Sequence, residues 1–386
     1  MYIRHQENLI QKHFQNYKQA LILLGARQVG KTTLLKKIFP KAKYLLLDND
    51  NVRIILNSYD IHTYLPILSD TEELILDEVH LLDNPGRALK IIYDQIPQIK
   101  LIATGSSSFH IKNKTGESMA GRKIDYHLYP LTFSEYLVQT GITKKLDTNI
   151  LENIVSGASN PSIHLFDAKA IVQNILLYGL YPEMINLPQS TEYLKNLGDS
   201  VVFQDLLELN LIDNKKKAQE LLKLLAYQIG SLISYAELGN KIGLDQRTVQ
   251  RYIDIFEDSY IVFRLYPYSK RIRNEIVKNP KIYFWDIGLR NAVINNFDSL
   301  TSRLDTGALF ENFIISEIKK LNSYRGDPYQ INYWRTKSGS EIDLVISNNQ
   351  QLIGCEIKLT KGVISSAFTS RYPTAQTRLT TLNNFY

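Results

Sequence analysis

Gly25-Ala26-Arg27-Gln28-Val29-Gly30-Lys31-Thr32 fits G-x-x-x-x-G-K-[ST] without a gap, and this stretch limits the surrounding chain to a strand, a tight loop and a helix. The apolar run Leu21-Ile22-Leu23-Leu24 enters it as a buried strand, and Thr33 to Phe39 leave it as a helix stopped by Pro40. Glycines let such a loop fold back until its backbone N–H groups converge on a phosphate at a helix N-terminus. Lys31 is then placed to bridge the β- and γ-phosphates and Thr32 to ligate Mg²⁺, with Gly25, Ala26, Arg27, Gln28, Val29, Gly30 and Thr33 completing the cradle. ATP and Mg²⁺ are the expected cofactors.

Downstream, short apolar runs alternate with helical patterns, the mark of a parallel sheet covered by helices. The candidate strands are Tyr44 to Leu47, Leu74 to Leu76, Leu101 to Ala103 and Ile124 to Leu128. Leu74 to Leu76 runs into Asp77-Glu78, and an acidic pair at the carboxyl end of a buried strand suits a Mg²⁺ held through water, Asp77, and an oriented attacking water, Glu78. A helix N-cap with a first-turn acid is the plainer alternative. Leu101 to Ala103 leads into Thr104-Gly105-Ser106-Ser107-Ser108, whose hydroxyls would flank the γ-phosphate if these strands are neighbours. Arg122 is a candidate arginine finger for a neighbouring subunit's nucleotide, so a homo-oligomer is a candidate assembly, and a solvated arginine is the alternative. Asp77-Glu78-Val79-His80 also spells a helicase box; a helicase needs a second motor core, and no further motor motif follows, so His80 reads as a residue outside the site.

At 386 residues the chain is expected to divide into domains: 1–140 around the cradle, 165–282, and 283–386. The stretch 141–162, rich in Thr, Asn, Gly and Ser, reads as a linker. With 44% hydrophobic and 22% charged residues the chain should be globular. One cysteine, Cys355, excludes an internal disulfide, and neither a signal peptide nor a transmembrane run is evident, so a cytoplasmic protein without membrane contact is expected. A net charge of +6 permits nucleic acid as a partner without requiring it.

In the middle region, Tyr235 to Leu238 and Gln246 to Phe256 read as two helices joined by a turn at Gly243, followed by a wing strand Tyr260 to Leu265: a winged helix. Gln246, Arg247, Gln250 and Arg251 lie on its exposed side, suited to DNA or to a protein contact. Arg264, Lys270, Arg271, Arg273, Lys278 and Lys281, interleaved with Tyr266 and Tyr268, form a basic strip that could track a phosphate backbone or be a solvated face. Asp286 reads as an N-cap.

At the C-terminal end, a helix carries Glu311, and three strands follow: Ile331 to Arg335, Glu341 to Ile346 and Leu352 to Lys358, the last two joined by the turn Ser347-Asn348-Asn349-Gln350. Alternation puts Glu356 and Lys358 on one face with Asp343 across from them. Two carboxylates beside a lysine can hold Mg²⁺ and position a water against a phosphodiester, with Glu311 completing the set; charge pairing across exposed strands would look alike.

The cradle with its Arg27-Gln28 pair, Leu76-Asp77-Glu78, Thr104 to Ser108 and Tyr129-Pro130-Leu131-Thr132-Phe133-Ser134-Glu135-Tyr136 together resemble the prokaryotic AAA-type P-loop ATPases that carry a C-terminal restriction-endonuclease-like domain of uncharacterised function. The resemblance spans nearly the whole chain. Where that family shows two adjacent glycines, Tyr178-Gly179-Leu180-Tyr181-Pro182-Glu183 has Leu180 as the second, which implies a less sharp turn. Asp343 and Glu356-Ile357-Lys358 resemble the PD-(D/E)XK nuclease core, and the chain stops at Tyr386 where such relatives continue. The implied fold is an α/β AAA-like parallel sheet, then a helical and winged-helix region, then a small α+β restriction-endonuclease-like domain. The implied function is ATP hydrolysis coupled to a nuclease-like domain on nucleic acid; a nucleotide-gated scaffold that cuts nothing and a DNA-binding regulator with a vestigial ATPase are the alternatives.

Overall fold

The computed structural model describes residues 3–106, 119–146, 149–157, 167–199, 212–269 and 279–386. They separate into two compact units: Met1–Tyr129 with Asp258–Tyr260, and Pro130–Glu257 with Ile261–Tyr386.

The first unit is built on a five-stranded parallel sheet of β1 (Ala20–Leu24), β2 (Lys43–Leu46), β3 (Glu73–Asp77), β4 (Lys100–Gly105) and β5 (Lys123–His127), in the order β2-β3-β4-β1-β5. Every residue of β1 is buried, as an unbroken apolar run between two neighbouring strands requires. β2 lies at an edge and its burial falls accordingly. Insertion of β4 between β1 and β3 matters most for the site. Leu23 pairs with Thr104, and Leu76 with Ala103, so the carboxyl ends of β1, β3 and β4 finish side by side. The helix Lys31–Ile38 leaves the loop after β1 and is closed at Phe39, one residue before Pro40.

The second unit holds the helices Lys215–Tyr227, Tyr235–Ile242 and Gln246–Asp258, then the antiparallel pair β6 (Val262–Leu265) and β7 (Lys281–Phe284). Gly243, at φ 68°, ends the middle helix in the left-handed conformation. The long helix Thr306–Tyr324 packs on β7 and on a four-stranded sheet of β8 (Gln330–Arg335), β9 (Glu341–Ser347), β10 (Leu352–Ile357) and β11 (Gln376–Thr380), in the order β11-β10-β9-β8. β9 pairs antiparallel with both β8 and β10; β11, which sequence reading did not foresee, pairs parallel with β10. Trp334, Ile342, Val345, Phe368 and Tyr372 form the core between this sheet and the short helix Ser366–Arg371.

Apart from Asp258–Tyr260, residues 165–282 and 283–386 fall within one compact unit. The Asn312 side chain accepts from Phe284 N at 2.8 Å and donates to Phe284 O at 2.7 Å, and Tyr333 exchanges backbone hydrogen bonds with Tyr266 and Tyr268. Hairpin and C-terminal sheet are therefore spliced through backbone groups that cannot separate without being left unpaired. Within the expected linker, Asn149 caps a helix over Ile150–Ser156, while residues 147–148 and 158–162 lie outside the described residues. The unit boundary falls after Tyr129, and Thr132 and Glu135 form a capping box on Phe133–Gln139. Phe133 packs edge-on against Phe313, Phe385 and Tyr386. The Pro130–Tyr136 part of the motif is thereby explained by packing within the second unit.

At the glycine–proline element, Gly179 has φ 73°, and a Cβ there would stand 2.2 Å from Asp286 Oδ1. Leu180 fills the second position without strain because what is needed from it is a backbone N–H, given to Asp286 Oδ2 at 2.7 Å. Asp286 also caps its own helix through Leu289 N at 2.9 Å, the N-cap role expected of it.

Candidate functional site

The loop after β1 is shaped by two glycines for two reasons. At Gly25 a Cβ would meet the Leu128 carbonyl oxygen at 2.1 Å, so close approach of β5 forbids any side chain. Gly30, at φ 93°, turns the chain into the helix Lys31–Ile38. Lys31 Nζ donates to the carbonyls of Gly25 and Ala26, both at 2.9 Å, which sets the buried ammonium inside the curl of the loop. Arg4, which sequence reasoning missed, donates through Nη1 to Val29 O at 2.8 Å and through Nη2 to Tyr129 O at 2.5 Å. A lone arginine near a chain start carries no motif that could have revealed it.

Asp77 ends β3, 3% exposed, and accepts hydrogen bonds from three hydroxyls. Thr32 Oγ1 donates to Oδ2 at 2.7 Å and Tyr44 OH to the same oxygen at 2.5 Å, while Thr104 Oγ1 donates to Oδ1. Burial, then the bond and charge of Asp77, raise the Tyr44 phenol above its ordinary value, so it stays a donor. Tyr44 was read only as a strand residue, and its segment carries no signal that it faces Asp77. Thr104 also accepts from Glu78 N at 3.1 Å, so the expected strand-end hydroxyl reaches both members of the acidic pair. Ser106 sits one step further on; Ser107 and Ser108 lie outside the described residues.

Glu78 stands at φ 59° and ψ 46°, a left-handed conformation costing a non-glycine residue about 1–3 kcal/mol. Burial alone would raise its carboxyl; the charges of Lys31 and Arg27 and the contact with His80 prevail and hold it down to about 2. The residue is an anion at neutral pH, beside the cradle's own lysine. Ala26 and Val29 are buried in the loop, whereas Gln28 and Thr33 are exposed. Arg122 is not brought to this set: it precedes β5 at the amino end of the sheet, where Nε pairs with Asp94 at 2.8 Å.

This donor set fits a Mg²⁺–nucleotide. The loop is cleared of side chains at Gly25, Lys31 points its charge into the curl, and Thr32 gives its proton to Asp77 while its lone pairs stay available to a cation.

In the second unit the expected basic strip does not hold as a surface. Arg264 is bound by Glu257 and Asp254, and Lys281, 2% exposed, pairs with Glu341 at 2.5 Å and Glu311 at 3.5 Å. Lys270, Arg271, Arg273 and Lys278 lie outside the described residues. Gln246, Arg247, Gln250 and Arg251 are exposed on one helix, Arg251 in contact with Asp213.

The C-terminal acids do gather. Asp343 on β9 stands one step past the pair Leu344–Cys355, opposite Glu356 on β10. Lys358 Nζ lies 2.8 Å from Asp343 Oδ2 and 3.0 Å from Glu356 Oε2, and Ile357 N donates to Asp343 Oδ2 at 2.9 Å. Burial, then the neighbouring Asp343 charge, push Glu356 up to about 7. Burial likewise raises Glu311, which accepts from Tyr283 OH at 2.6 Å. Sequence reasoning missed Lys281 and Tyr283 because they come from a hairpin far from the acids in sequence. As a three-carboxylate metal set the group departs from expectation: Lys358 stands between Asp343 and Glu356, and Glu311 is drawn toward Tyr283 and Lys281. Among the described residues no three His, Cys, Asp or Glu are placed to hold a metal ion.

Among the described residues no helix is long and apolar enough to cross a membrane. Residues 17–137 match the AAA domain family, 169–300 a domain of unknown function (DUF8612) and 306–378 another (DUF4143). The chain is similar to the uncharacterized protein MJ1637 of Methanocaldococcus jannaschii, at 26% identity over 91% of this chain and 78% of that protein. It is also similar to the uncharacterized protein Rv2008c of Mycobacterium tuberculosis, at 25% identity over 88% of this chain and 70% of that protein. Among solved structures, the Walker-type ATPase PABY2304 of Pyrococcus abyssi aligns with a TM-score of 0.46 and 14% identity, over 76% of this chain and 96% of that one. The cradle, the parallel sheet and the family match agree: the N-terminal region of this chain is a P-loop ATPase domain of the AAA type.

Proposed function

We propose that this chain is a Mg²⁺-dependent ATPase whose hydrolysis is coupled to a nuclease-like second unit acting on nucleic acid. The observation that carries the ATPase part is the Asp77 carboxylate saturated by Thr32, Tyr44 and Thr104, with the ionised Glu78 next to it and Lys31 in the loop. Lys31 would bind the phosphates, Thr32 and Asp77 would hold the metal, and Glu78 would orient a water and take its proton. Mg²⁺, when bound, supplies charge neutralisation at the phosphates. In the second unit Asp343 and Glu356 offer two carboxylates, each within 3.0 Å of the Lys358 ammonium, a set suited to activating water against a phosphodiester.

Purified protein incubated with ATP, Mg²⁺ or Mn²⁺ and plasmid tests this reading. Plasmid cleavage lost in Asp343→Ala while ATP turnover persists is expected; a Lys31→Ala protein that still binds and hydrolyses ATP overturns the assignment. The second reading, a nucleotide-gated scaffold, is favoured by one observation: Lys358 stands between Asp343 and Glu356, and Glu311 is bound by Tyr283 and Lys281. Turnover without cleavage or DNA retention would decide for it.

A further inference from the structure

His80 takes no part in the cradle, yet it is 2% exposed and sits in the single turn Val79–Leu81 directly after the acidic pair. Its Nδ1 lies 3.1 Å from Glu78 Oε2, and on its other side Nε2 lies 3.3 Å from Ser106 Oγ, just past the end of β4. The three side chains form a line from β4 to the acid. A carboxylate beside Nδ1 favours a proton on that nitrogen, which leaves Nε2 to accept from the serine hydroxyl. The Nδ1 to Glu78 contact is at ion-pair distance without hydrogen-bond alignment, and neither buried atom has another hydrogen-bond partner.

Glu78 needs such a restraint. At φ 59° its backbone has left the strand, so the pleat of β3 no longer sets the direction of its side chain. The left-handed residue followed by a tight turn brings residues 78 and 80 to the same side, which explains the acid-x-His spacing without a helicase.

We propose that His80 is a positioning residue for Glu78: the imidazole, braced at Nε2 by Ser106, holds the carboxylate where it can orient a water toward a bound γ-phosphate, and ties its placement to the end of β4. This rests on the ATPase reading above. Steady-state ATP turnover, affinity for a non-hydrolysable ATP analogue, and the ring ¹⁵N resonances of His80 in the nucleotide-free protein test it together. His80→Ala is expected to lower kcat by roughly tenfold to a hundredfold, the range of supporting-layer losses, with analogue affinity unchanged. His80→Asn, which keeps a donor near the Nδ1 position, should recover most of that loss. In a Glu78→Gln background His80→Ala should add nothing, because both changes remove the same interaction. Glu78→Gln should by itself shift the His80 ring resonances. Equal losses in both backgrounds, weakened analogue binding that matches the lost turnover, or resonances unmoved by Glu78→Gln would each overturn the proposal. Should His80→Ala not fold, His80→Asn and Ser106→Ala carry the kinetic test, the latter with a smaller loss in kcat. A wild-type protein without turnover refutes the ATPase reading; the resonance shift then still decides where His80 acts.

Discussion

Thr104→Val is the sharpest test of how the acidic pair is built. Valine keeps the shape of threonine and removes one oxygen, at a position with no exposure. That oxygen donates to the Asp77 carboxylate and accepts from Glu78 N, so a single substitution breaks two hydrogen bonds. A hydrogen bond to a charged group contributes about 1.5–3 kcal/mol, and a backbone N–H left without its acceptor costs about 1–3 kcal/mol. Asp77 keeps its bonds from Thr32 and Tyr44, and the Glu78 amide is only partly buried, so the low ends apply: about 2.5 kcal/mol in sum. With a urea slope of about 2 kcal/mol per molar, the midpoint should fall by about 1 M. Circular dichroism is the right probe, since both tryptophans, Trp285 and Trp334, belong to the second unit and would not report the first. Turnover should fall with it, because the Glu78 backbone loses one anchor, and Thr104→Ser should restore both. A Thr104→Val protein within about 0.5 kcal/mol of wild type and with unaltered turnover would refute this account of the site.

Gly25→Ala drives a Cβ against the Leu128 carbonyl, a backbone atom that cannot swing aside; nucleotide affinity measured by calorimetry should weaken by roughly tenfold or more. Lys320→Met leaves Glu317 a buried carboxylate without its 3.0 Å partner and should cost about 3–5 kcal/mol in urea unfolding. The double change Glu317→Gln with Lys320→Met, which still accepts from Phe133 N, should regain most of that loss. Asp305 works in the acid range. Burial would raise its carboxyl, but Arg303 and Arg290 hold it at about 2 instead of 3.8. A depressed carboxyl stabilises fully above its unfolded value and loses that contribution as pH falls through the folded one. Asp305→Asn should therefore remove about 1–2 kcal/mol at pH 6, after allowance for its partial exposure, and the difference from wild type should shrink between pH 4 and pH 2 in a urea titration series.

What was legible in the sequence is what local chemistry dictates. The strands of the first unit, the glycine turn, the Pro40 stop and the Asp286 cap all follow from runs, φ requirements and missing N–H groups within a few residues. What was not legible depends on strand order. Tyr44 and Thr104 become neighbours of Asp77-Glu78 because β2 and β4 flank β3, an adjacency that sequence reading could state for Thr104 only as a condition and did not state for Tyr44. Arg264 and Lys281 show the same limit from the opposite side: read along the chain they make a basic strip, yet each is neutralised by acids from other elements, Arg264 by the helix before it and Lys281 by Glu311 and Glu341. Period-two alternation could have hinted at Lys281, since it shares an inward face with Tyr283, and both end on Glu311. A buried lysine on a central hairpin strand is costly unless paired, so its presence amid apolar residues was itself a signal of buried acids elsewhere. Sequence motifs therefore located the acids, and the sheet order supplied the groups that bind them: hydroxyls donate to Asp77 in the first unit, and ammonium and phenol groups reach the C-terminal carboxylates in the second.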